Sequence, residues 1–168
     1  MGPSAKLLTD HEHAALGNLV SAVDCRKVRL YRAGVGGAAG LLRDLVLWLS
    51  RNRAVALGNH VFLPQRCDHD LPVLAHELTH CAQYQAWGAL TYFSKGLGAQ
   101  AQELLHRTTG IGRSPYRYSA DRDKPFIAYG MEQQGQIVED CFRGHPPARA
   151  ISPFHPGQLP VDQAVPSA

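Results

Sequence analysis

The sequence of 168 residues lacks three features that define common protein classes. No apolar run reaches the roughly 18 residues of a membrane span, since the best candidate, residues 38–50, is short and contains Arg43 and Asp44. Lysines and arginines form no long run, so the net charge of +3 indicates a mildly basic surface without a nucleic-acid patch. The N-terminal residues lack the basic-then-apolar order of a secretory signal. We therefore expect no membrane span, no nucleic-acid partner and no signal-peptide export.

Cysteine is also scarce and widely spaced. The four cysteines form no C-x-x-C pair, so a four-cysteine zinc site is disfavoured. Their even number would allow two disulfides in an oxidising compartment, but four cysteines do not define a disulfide scaffold in a chain of this length. We interpret all four as buried free thiols, namely Cys25, Cys67, Cys81 and Cys141.

The remaining pattern is that of a single domain with a sizeable core. Apolar periodicity and turn residues predict one strand, one hairpin that turns at Gly58-Asn59, and five helices, of which the second is expected to be buried. The predicted helices span 9–23, 39–50, 71–87, 97–107 and 129–142, the strand spans 27–31, the hairpin 53–64 and a long ordered loop 110–127. These elements indicate a mostly helical α+β fold with a small β-sheet next to the 71–87 helix.

The two ends of this domain carry different signals. Thr9 and Glu12 have the spacing of a capping box, which predicts the start of the first helix. Residues 146–168 contain six prolines, which is too many for a packed element. We therefore assign residues 1–145 to the domain and interpret 146–168 as a proline-rich extended tail.

The most informative stretch is the H-E-x-x-H motif of His76, Glu77 and His80. Residues four apart lie on one face of a helix, so both imidazoles can bind one ion about 2 Å from each. Glu77 lies one residue further on, where it can reach a water bound to that ion. An apolar stripe that includes Leu74 and Leu78 lies on another face, so the helix can bury one side and present the histidines on the other. This pattern is typical of a zinc hydrolase.

A catalytic zinc ion needs a third protein ligand from elsewhere in the chain. Glu132 is the preferred candidate, because it lies in the first turn of the 129–142 helix. Glu139 shares that helix face two turns later and is the alternative. The remaining candidates are His106, Asp140, His145 and His155, of which the last two belong to or adjoin the proline-rich tail and are poorly placed to hold a fixed ligand.

Three segments together resemble a bacterial family of small zincin-like metallopeptidase domains associated with spike (VgrG-related) proteins and effectors of the type VI secretion system. They are VLAHELTHCAQYQAWG, SPYRY and YGMEQQGQIVEDCF, and the resemblance spans about residues 7 to 143. It implies a zincin-like fold in which Glu132 is the third zinc ligand. It also implies that residues 56–63 are the strand that lines the cleft and pairs with substrate backbone, so Asn59, His60 and Val61 become candidate substrate-binding residues.

An oxyanion stabiliser should accompany such a site. Three tyrosines flank the carboxylate helix and could bring a phenol over the zinc ion, although each alone is more often a packing residue. They are Tyr116, Tyr118 and Tyr129, of which we select Tyr129 and Tyr118 as the catalytic candidates.

The function expected from these residues is that of a zinc metallopeptidase with a gluzincin-like His₂Glu site, in which Glu77 is the general base of a zinc-activated water. The resemblance implies a toxin that is cytoplasmic before delivery and acts in the periplasm of a target bacterium, with the secretion spike and an immunity protein as partners, or else an enzyme that processes a cargo of its own secretion system. A peptidoglycan amidase is an alternative, since the same chemistry serves it. Two further alternatives are a catalytically idle, zinc-stabilised adaptor, which would have no use for Glu77, and a helical domain without metal.

Overall fold

The computed structural model of the chain describes residues 5–109 and 114–157. In this part of the chain the fold consists of six α-helices and a three-stranded sheet, so the predicted mostly helical α+β class is confirmed. The helices are α1 (Asp10–Ala15), α2 (Gly37–Leu49), α3 (Leu71–Trp87), α4 (Ala89–Thr109), α5 (Met131–Phe142) and α6 (Pro146–Ile151). The strands are β1 (Arg29–Tyr31), β2 (Val55–Leu57) and β3 (His60–Phe62), and short 3₁₀ turns occupy Gly17–Ser21, Gln65–Cys67 and Phe126–Ala128.

The sheet has the order β1-β3-β2, with β1 parallel and β2 antiparallel to the central strand β3. The predicted strand and hairpin are therefore confirmed. The hairpin turns at Gly58, whose φ of +66° is unfavourable for other residues. A Cβ atom there would also lie 3.2 Å from the ring of Tyr84, so the turn packs closely against α3.

The helix that carries the H-E-x-x-H motif begins and ends where the sequence predicts. The side chain of Asp70 accepts a hydrogen bond from the backbone N–H of Val73, and Pro72 lies in the first turn, where its missing N–H costs little. Gly88, with φ of +78°, ends the helix. The stripe of Leu74 and Leu78 is buried in the main core, as expected. The opposite face is not open to solvent, however, because α5 packs over it.

The first predicted helix is shorter than expected. The capping box is confirmed, since the N–H of Thr9 donates to the Glu12 carboxylate and the N–H of Glu12 donates to the Thr9 hydroxyl. The regular helix ends at Ala15 because Gly17 adopts a φ of +58°, and the chain continues as a 3₁₀ turn. The fourth predicted helix, 97–107, is longer than expected, because α4 already begins at Ala89, immediately after the glycine that ends α3.

The prediction that residues 39–50 form a buried helix is correct for the helix and wrong for the burial. Gly40 and Leu47 are the buried residues of α2, whereas Leu41 and Trp48 are each 75% exposed. The reason is that α2 contacts the sheet only through the face that carries Gly40 and Leu47. That face also carries Arg43, whose guanidinium donates to the backbone carbonyl of Leu63, so most of the leucines point away from the domain.

The prediction of an extended tail from residue 146 is wrong for the part that the structure describes. Pro146–Ile151 form α6, because prolines are tolerated in the first turn of a helix. The following residues pack on the end of α1, where the N–H of Gly157 donates to the carbonyl of Ala15 at 2.9 Å and Asn18 donates to the carbonyl of Pro153 at 2.7 Å. Residues 158–168 of the predicted tail and 110–113 of the predicted loop lie outside the described residues.

The cysteines are free thiols in the structure. The expectation of burial is confirmed for Cys25, Cys81 and Cys141, whereas Cys67 is partly exposed. Burial raises the pKa of the Cys25 thiol, so this thiol stays protonated near neutral pH.

Candidate metal centre

The two motif histidines and Glu132 meet at the contact between α3 and α5. The Nε2 atoms of His76 and His80 lie 3.1 Å apart, and Oε2 of Glu132 lies 3.9 Å from the first and 3.4 Å from the second. Three ligands of one tetrahedral zinc ion are separated by about 3.3 Å, given bonds of about 2.0–2.1 Å. The spacing and the donor set therefore fit a single divalent ion, and this group could hold one.

The rest of each imidazole is held by a partner that directs its Nε2 atom toward the group. Nδ1 of His76 lies 3.0 Å from a carboxylate oxygen of Glu139, and Nδ1 of His80 lies 2.8 Å from the side-chain oxygen of Gln83. Both partners accept hydrogen bonds, so each Nδ1 carries a proton, and in the neutral ring Nε2 presents a lone pair. Glu139, the alternative third ligand, is thus placed behind His76 rather than beside the ligand atoms.

These partners are themselves held in place. The Gln83 amide donates to the side chain of Gln134 at 2.9 Å, and the Gln134 amide donates to the backbone carbonyl of Tyr129 at 2.8 Å. Arg143 joins Glu139 to Asp70 through hydrogen bonds of 3.0 and 3.3 Å. A chain of hydrogen bonds therefore runs from each histidine into the ends of α3 and α5, which fixes both rings before an ion binds.

Gly135 allows α5 to approach the motif so closely. A Cβ atom at this position would lie 2.8 Å from Nε2 of His76, which is closer than real contacts allow. A glycine in the middle of a helix is otherwise unfavourable by roughly 0.5–1 kcal/mol. Its presence between Glu132 and Glu139 was a signal in the sequence for a close approach, and our reasoning from the sequence missed it.

The group is strongly coupled electrostatically. His76, His80 and Glu132 are only 8%, 5% and 8% exposed. Burial alone would raise the pKa of Glu132, but the hydrogen bond and positive charge of His80 outweigh it and hold the pKa below its ordinary value. Burial likewise opposes protonation of His80, yet Glu132 raises the pKa of His80 to about 9. In the absence of an ion, these two residues form a buried ion pair.

Glu77 takes no part in the ion pair between His80 and Glu132. It is 5% exposed, and burial raises the pKa of its carboxyl even though the neighbouring His76 and His80 act in the other direction. Within the described residues its carboxylate makes no hydrogen bond, in contrast to Glu132 and Glu139. A buried carboxylate beside a metal-binding group, with no protein partner, has both oxygens free for a water molecule or a substrate.

The structure does not bring the two selected tyrosines to the group. The Tyr118 hydroxyl donates to Asp140 at 2.7 Å, and the Tyr129 hydroxyl accepts from the N–H of Asp121 at 3.0 Å. The Tyr118 phenol is therefore engaged with α5 and the Tyr129 phenol with the segment before α5. A catalytic role for either hydroxyl would require these hydrogen bonds to break.

Tyr116 is better placed than the other two tyrosines. Its hydroxyl lies 3.4 Å from a guanidinium nitrogen of Arg53, and that guanidinium lies 5.8 Å from the centre of its ring. Burial and then the charge of Glu132 raise the pKa of Tyr116, while Arg53 helps to lower the pKa of Glu132. Arg53 and Tyr116 are therefore close enough to interact electrostatically with Glu132 of the metal-binding group. Sequence reasoning missed Arg53, because nothing in its neighbourhood marks it as functional.

The backbone of β3 is already paired on both sides, so the substrate-binding role expected of residues 59–61 stays a prediction. β3 is the central strand, so both of its edges are already paired, with β1 and β2. Val61 is fully buried, the Asn59 side chain accepts a hydrogen bond from Gln85 at 2.8 Å, and His60 lies 3.0 Å from the Tyr31 hydroxyl. These side chains hold the sheet against its neighbours. A peptide could pair with this sheet only at an outer strand.

The other candidate ligands lie elsewhere. Asp140 accepts from Tyr118, His155 lies 3.4 Å from the Cys141 sulfur, and His145 occupies the residue position just before α6. Nδ1 of His106 is buried without a partner among the described residues. None of these four joins His76, His80 and Glu132 in the group that could hold an ion.

A pocket of about 530 Å³ opens beside Glu132. Its walls come from the end of α3, the middle of α4, the segment before α5 and the first turn of α5. Trp87, Ile127 and Met131 give it apolar surface, and Lys95 adds a positive charge. A ligand in this pocket would contact a residue of the metal-binding group directly.

The comparisons with known proteins relate one segment of this chain to a secretion apparatus. Residues 50–88 match the family model of the eCIS core domain, where eCIS denotes an extracellular contractile injection system. The matched segment covers less than half of the chain and contains β2, β3 and α3 with its H-E-x-x-H motif. No curated protein and no solved structure matches the chain.

The match indicates an association with a secretion system and is silent on zincins, spike proteins of the type VI system and peptidase activity. Within the described ranges, no helix has both the length and the apolar character required to cross a bilayer.

Proposed function

We propose that this chain is a zinc-dependent hydrolase of peptide bonds. The observation that carries the proposal is the unpartnered carboxylate of Glu77 beside the buried group of His76, His80 and Glu132. A structural zinc site is closed by four protein ligands, whereas a catalytic site has three and an open position. The described residues supply three.

The residues of this chain would divide the work as follows. His76, His80 and Glu132 would hold the ion, and Glu139 and Gln83 would keep the two imidazoles oriented. A bound zinc ion supplies Lewis-acid chemistry, since it polarises a carbonyl and acidifies water. Glu77 would accept the proton of the attacking water and pass it to the leaving amine.

The raised pKa of Glu77 supports this role. Burial, the largest influence on this carboxyl, brings its proton affinity closer to that of a base that must hold a proton between two steps. Arg53 would stabilise the negative charge that develops on the attacked carbonyl, because it already lowers the pKa of Glu132, and Tyr116 lies beside Arg53.

For the biological setting, we propose delivery by a contractile secretion apparatus as an antibacterial toxin that acts in the periplasm of a target cell. The match of residues 50–88 to the eCIS core domain supports the association with such an apparatus. Partners would then include the spike of the apparatus and an immunity protein in the producing cell.

The test of the enzymatic proposal is the zinc content of the purified protein, measured by elemental mass spectrometry. We expect about one zinc ion per chain in the wild type and a clear loss in Glu132→Ala. Glu77→Gln is the matched control, because it should retain zinc and lose hydrolysis of peptides. No zinc in the wild type after reconstitution would overturn the proposal, and zinc retained in Glu132→Ala would move the third ligand elsewhere.

A zinc-stabilised adaptor without activity is the second candidate, and the deep burial of the three ligands favours it. Ligands that are at most 8% exposed resemble a closed structural site. The two candidates differ in what Glu77→Gln changes. An adaptor would keep its partner binding and its stability in this variant, whereas the hydrolase would lose its turnover of protein substrates or purified sacculi.

A further inference from the structure

We propose that the pocket beside Glu132 is a subsite for a carboxylate of the substrate, with Lys95 as its cationic partner. The substrate class would be peptides that carry an aspartate, a glutamate or a terminal carboxylate next to the cleaved bond. This inference rests on the proposed function, but the binding of such a group can be measured without catalysis.

The position of the pocket is the first argument. Glu132 belongs both to the metal-binding group and to the pocket wall, so the pocket begins where the reacting carbonyl would be held. Its volume of about 530 Å³ is enough for one or two side chains of a bound peptide. Trp87 and Ile127 provide apolar surface against which the carbon chain of a substrate residue can pack.

The charge of the pocket is the second argument. Among its described wall residues, Lys95 is the one cation and Glu132 the one anion. Glu132 pairs with His80 and would be a ligand of the ion, so the charge left for a substrate group is positive. Gln133 and Gln134 also contribute to the wall, and both amides are engaged, with the backbone carbonyls of Arg117 and Tyr129.

The state of Lys95 is the third argument. Its Nζ lies 4.2 Å from the centre of the Trp87 ring, which holds the ammonium at the pocket wall by a cation–π interaction. Within the described residues no carboxylate pairs with it, so its N–H donors are available to a ligand. Lys124 lies in the same way 4.2 Å over the ring of Tyr129, another wall residue, and adds positive potential.

The lining therefore favours an anionic substrate group over a neutral or cationic one. A lysine substrate residue would meet Lys95 with no free carboxylate to offset the repulsion. An asparagine would fit by size but would lose the charge interaction, which for a partly exposed pair amounts to about a fivefold preference at most.

The experiment uses the full chain loaded with zinc and three capped peptides that differ only in a central Asp, Asn or Lys. Binding is measured by fluorescence anisotropy in the Glu77→Gln background, and cleavage is measured by mass spectrometry with the wild type. We expect about fivefold tighter binding of the Asp peptide than of the Asn peptide. Lys95→Glu should reverse the order in favour of the Lys peptide.

The control variant is Lys27→Glu, which makes the same charge change at an exposed lysine paired with Asp24 outside the pocket. It should leave the peptide order unchanged. Equal binding of the Asp and Asn peptides, or the same order in Lys95→Glu as in its parent, would overturn the inference. If the Asp preference depends on Lys95 and the wild type cleaves no peptide, the subsite stands and the proposed hydrolase function fails.

Discussion

The α3–α5 contact and the outer face of α2 invert the usual distribution of polar and apolar residues. At the contact, His76, His80 and Glu132 are nearly inaccessible, whereas on α2 the side chains of Leu41 and Trp48 are each 75% exposed. The polar residues can be buried because each one has hydrogen-bond or ion-pair partners on the facing helix. The apolar residues leave no polar group unsatisfied, so the domain tolerates their exposure.

The two regions differ in how much free energy a small displacement costs. At the contact, a shift of one helix would leave buried charges without partners, which costs several kcal/mol. On α2, rotation of a side chain costs almost nothing. We therefore expect substitutions at the contact to have large and specific effects, and those on α2 to be nearly silent.

The largest effect is expected for Glu77→Gln. The amide has the shape of the carboxylate but cannot accept a proton, so the rate of peptide hydrolysis should fall by about 10³-fold. Zinc content and thermal unfolding should be unchanged or slightly improved, because a buried and unpartnered charge is removed. Retention of a rate within a factor of ten of the wild type, measured on the same substrate, would exclude Glu77 as the general base.

Gly135→Ala should disturb the packing of α5 against α3. The new Cβ atom would approach the His76 ring to 2.8 Å, so α5 must move away. We expect a loss of about 1–3 kcal/mol in the free energy of unfolding, together with weaker zinc binding. Chemical denaturation and zinc titration measure the two effects.

The control for this substitution is Gly98→Ala on α4, where a Cβ atom meets nothing within 4 Å. It should stabilise the protein by about 0.5–1 kcal/mol, since alanine is the better helix former. Equal effects of the two alanines would show that the close approach of Gly135 to His76 has no energetic consequence.

Glu139→Gln should sharpen the comparison, because it removes the charge between His76 and Arg143 and changes no ligand. The amide can still accept from Nδ1 of His76, but the negative charge that makes the ring a stronger ligand is lost. We expect zinc affinity to fall by about 10–100-fold, measured by competition with a chelator. Asp44→Asn, at a side chain that is 72% exposed on α2, should leave the affinity unchanged.

The smallest effects are expected on α2. Leu41→Gln and Trp48→Gln should each change the free energy of unfolding by less than about 0.5 kcal/mol, because both side chains are already in water. Solubility should improve as exposed apolar surface is removed. A loss of more than about 1 kcal/mol in denaturant unfolding would show that this face is covered in solution, and would remove the contrast between the two regions.

The residues that could be predicted from the sequence are those whose signal is local. The H-E-x-x-H spacing, the Asp70 cap, the Gly88 stop and the Gly58-Asn59 turn each depend on neighbours within a few residues, and the structure has all four. Glu132 was also selected, but with Glu139 open as an alternative on the same helix face. Helix periodicity cannot separate two residues seven apart.

The sequence was a poor guide to features that depend on contacts between residues far apart in the chain. The burial of α2 was inferred from its apolar content, but the sheet accepts only the face with Gly40 and Leu47. The sequence also offered no sign that β3 would be the central strand, because its parallel partner β1 lies some thirty residues earlier. The Tyr118 hydroxyl likewise took a partner on α5, and the Tyr129 hydroxyl took one in the loop before it, whose path no periodicity describes.

The sequence by itself determined which chemical groups this chain can offer. One helix carries two imidazoles and a carboxylate, and a second helix carries Glu132 and Glu139 on one face with Gly135 between these two carboxylates. The tertiary structure alone decided which carboxylate meets the imidazole nitrogens, which one orients a ring and which pocket opens beside them. The physical reason is that side-chain type and helix phase are local properties. Ligand geometry, burial and electrostatic coupling depend on distances between elements that only packing fixes.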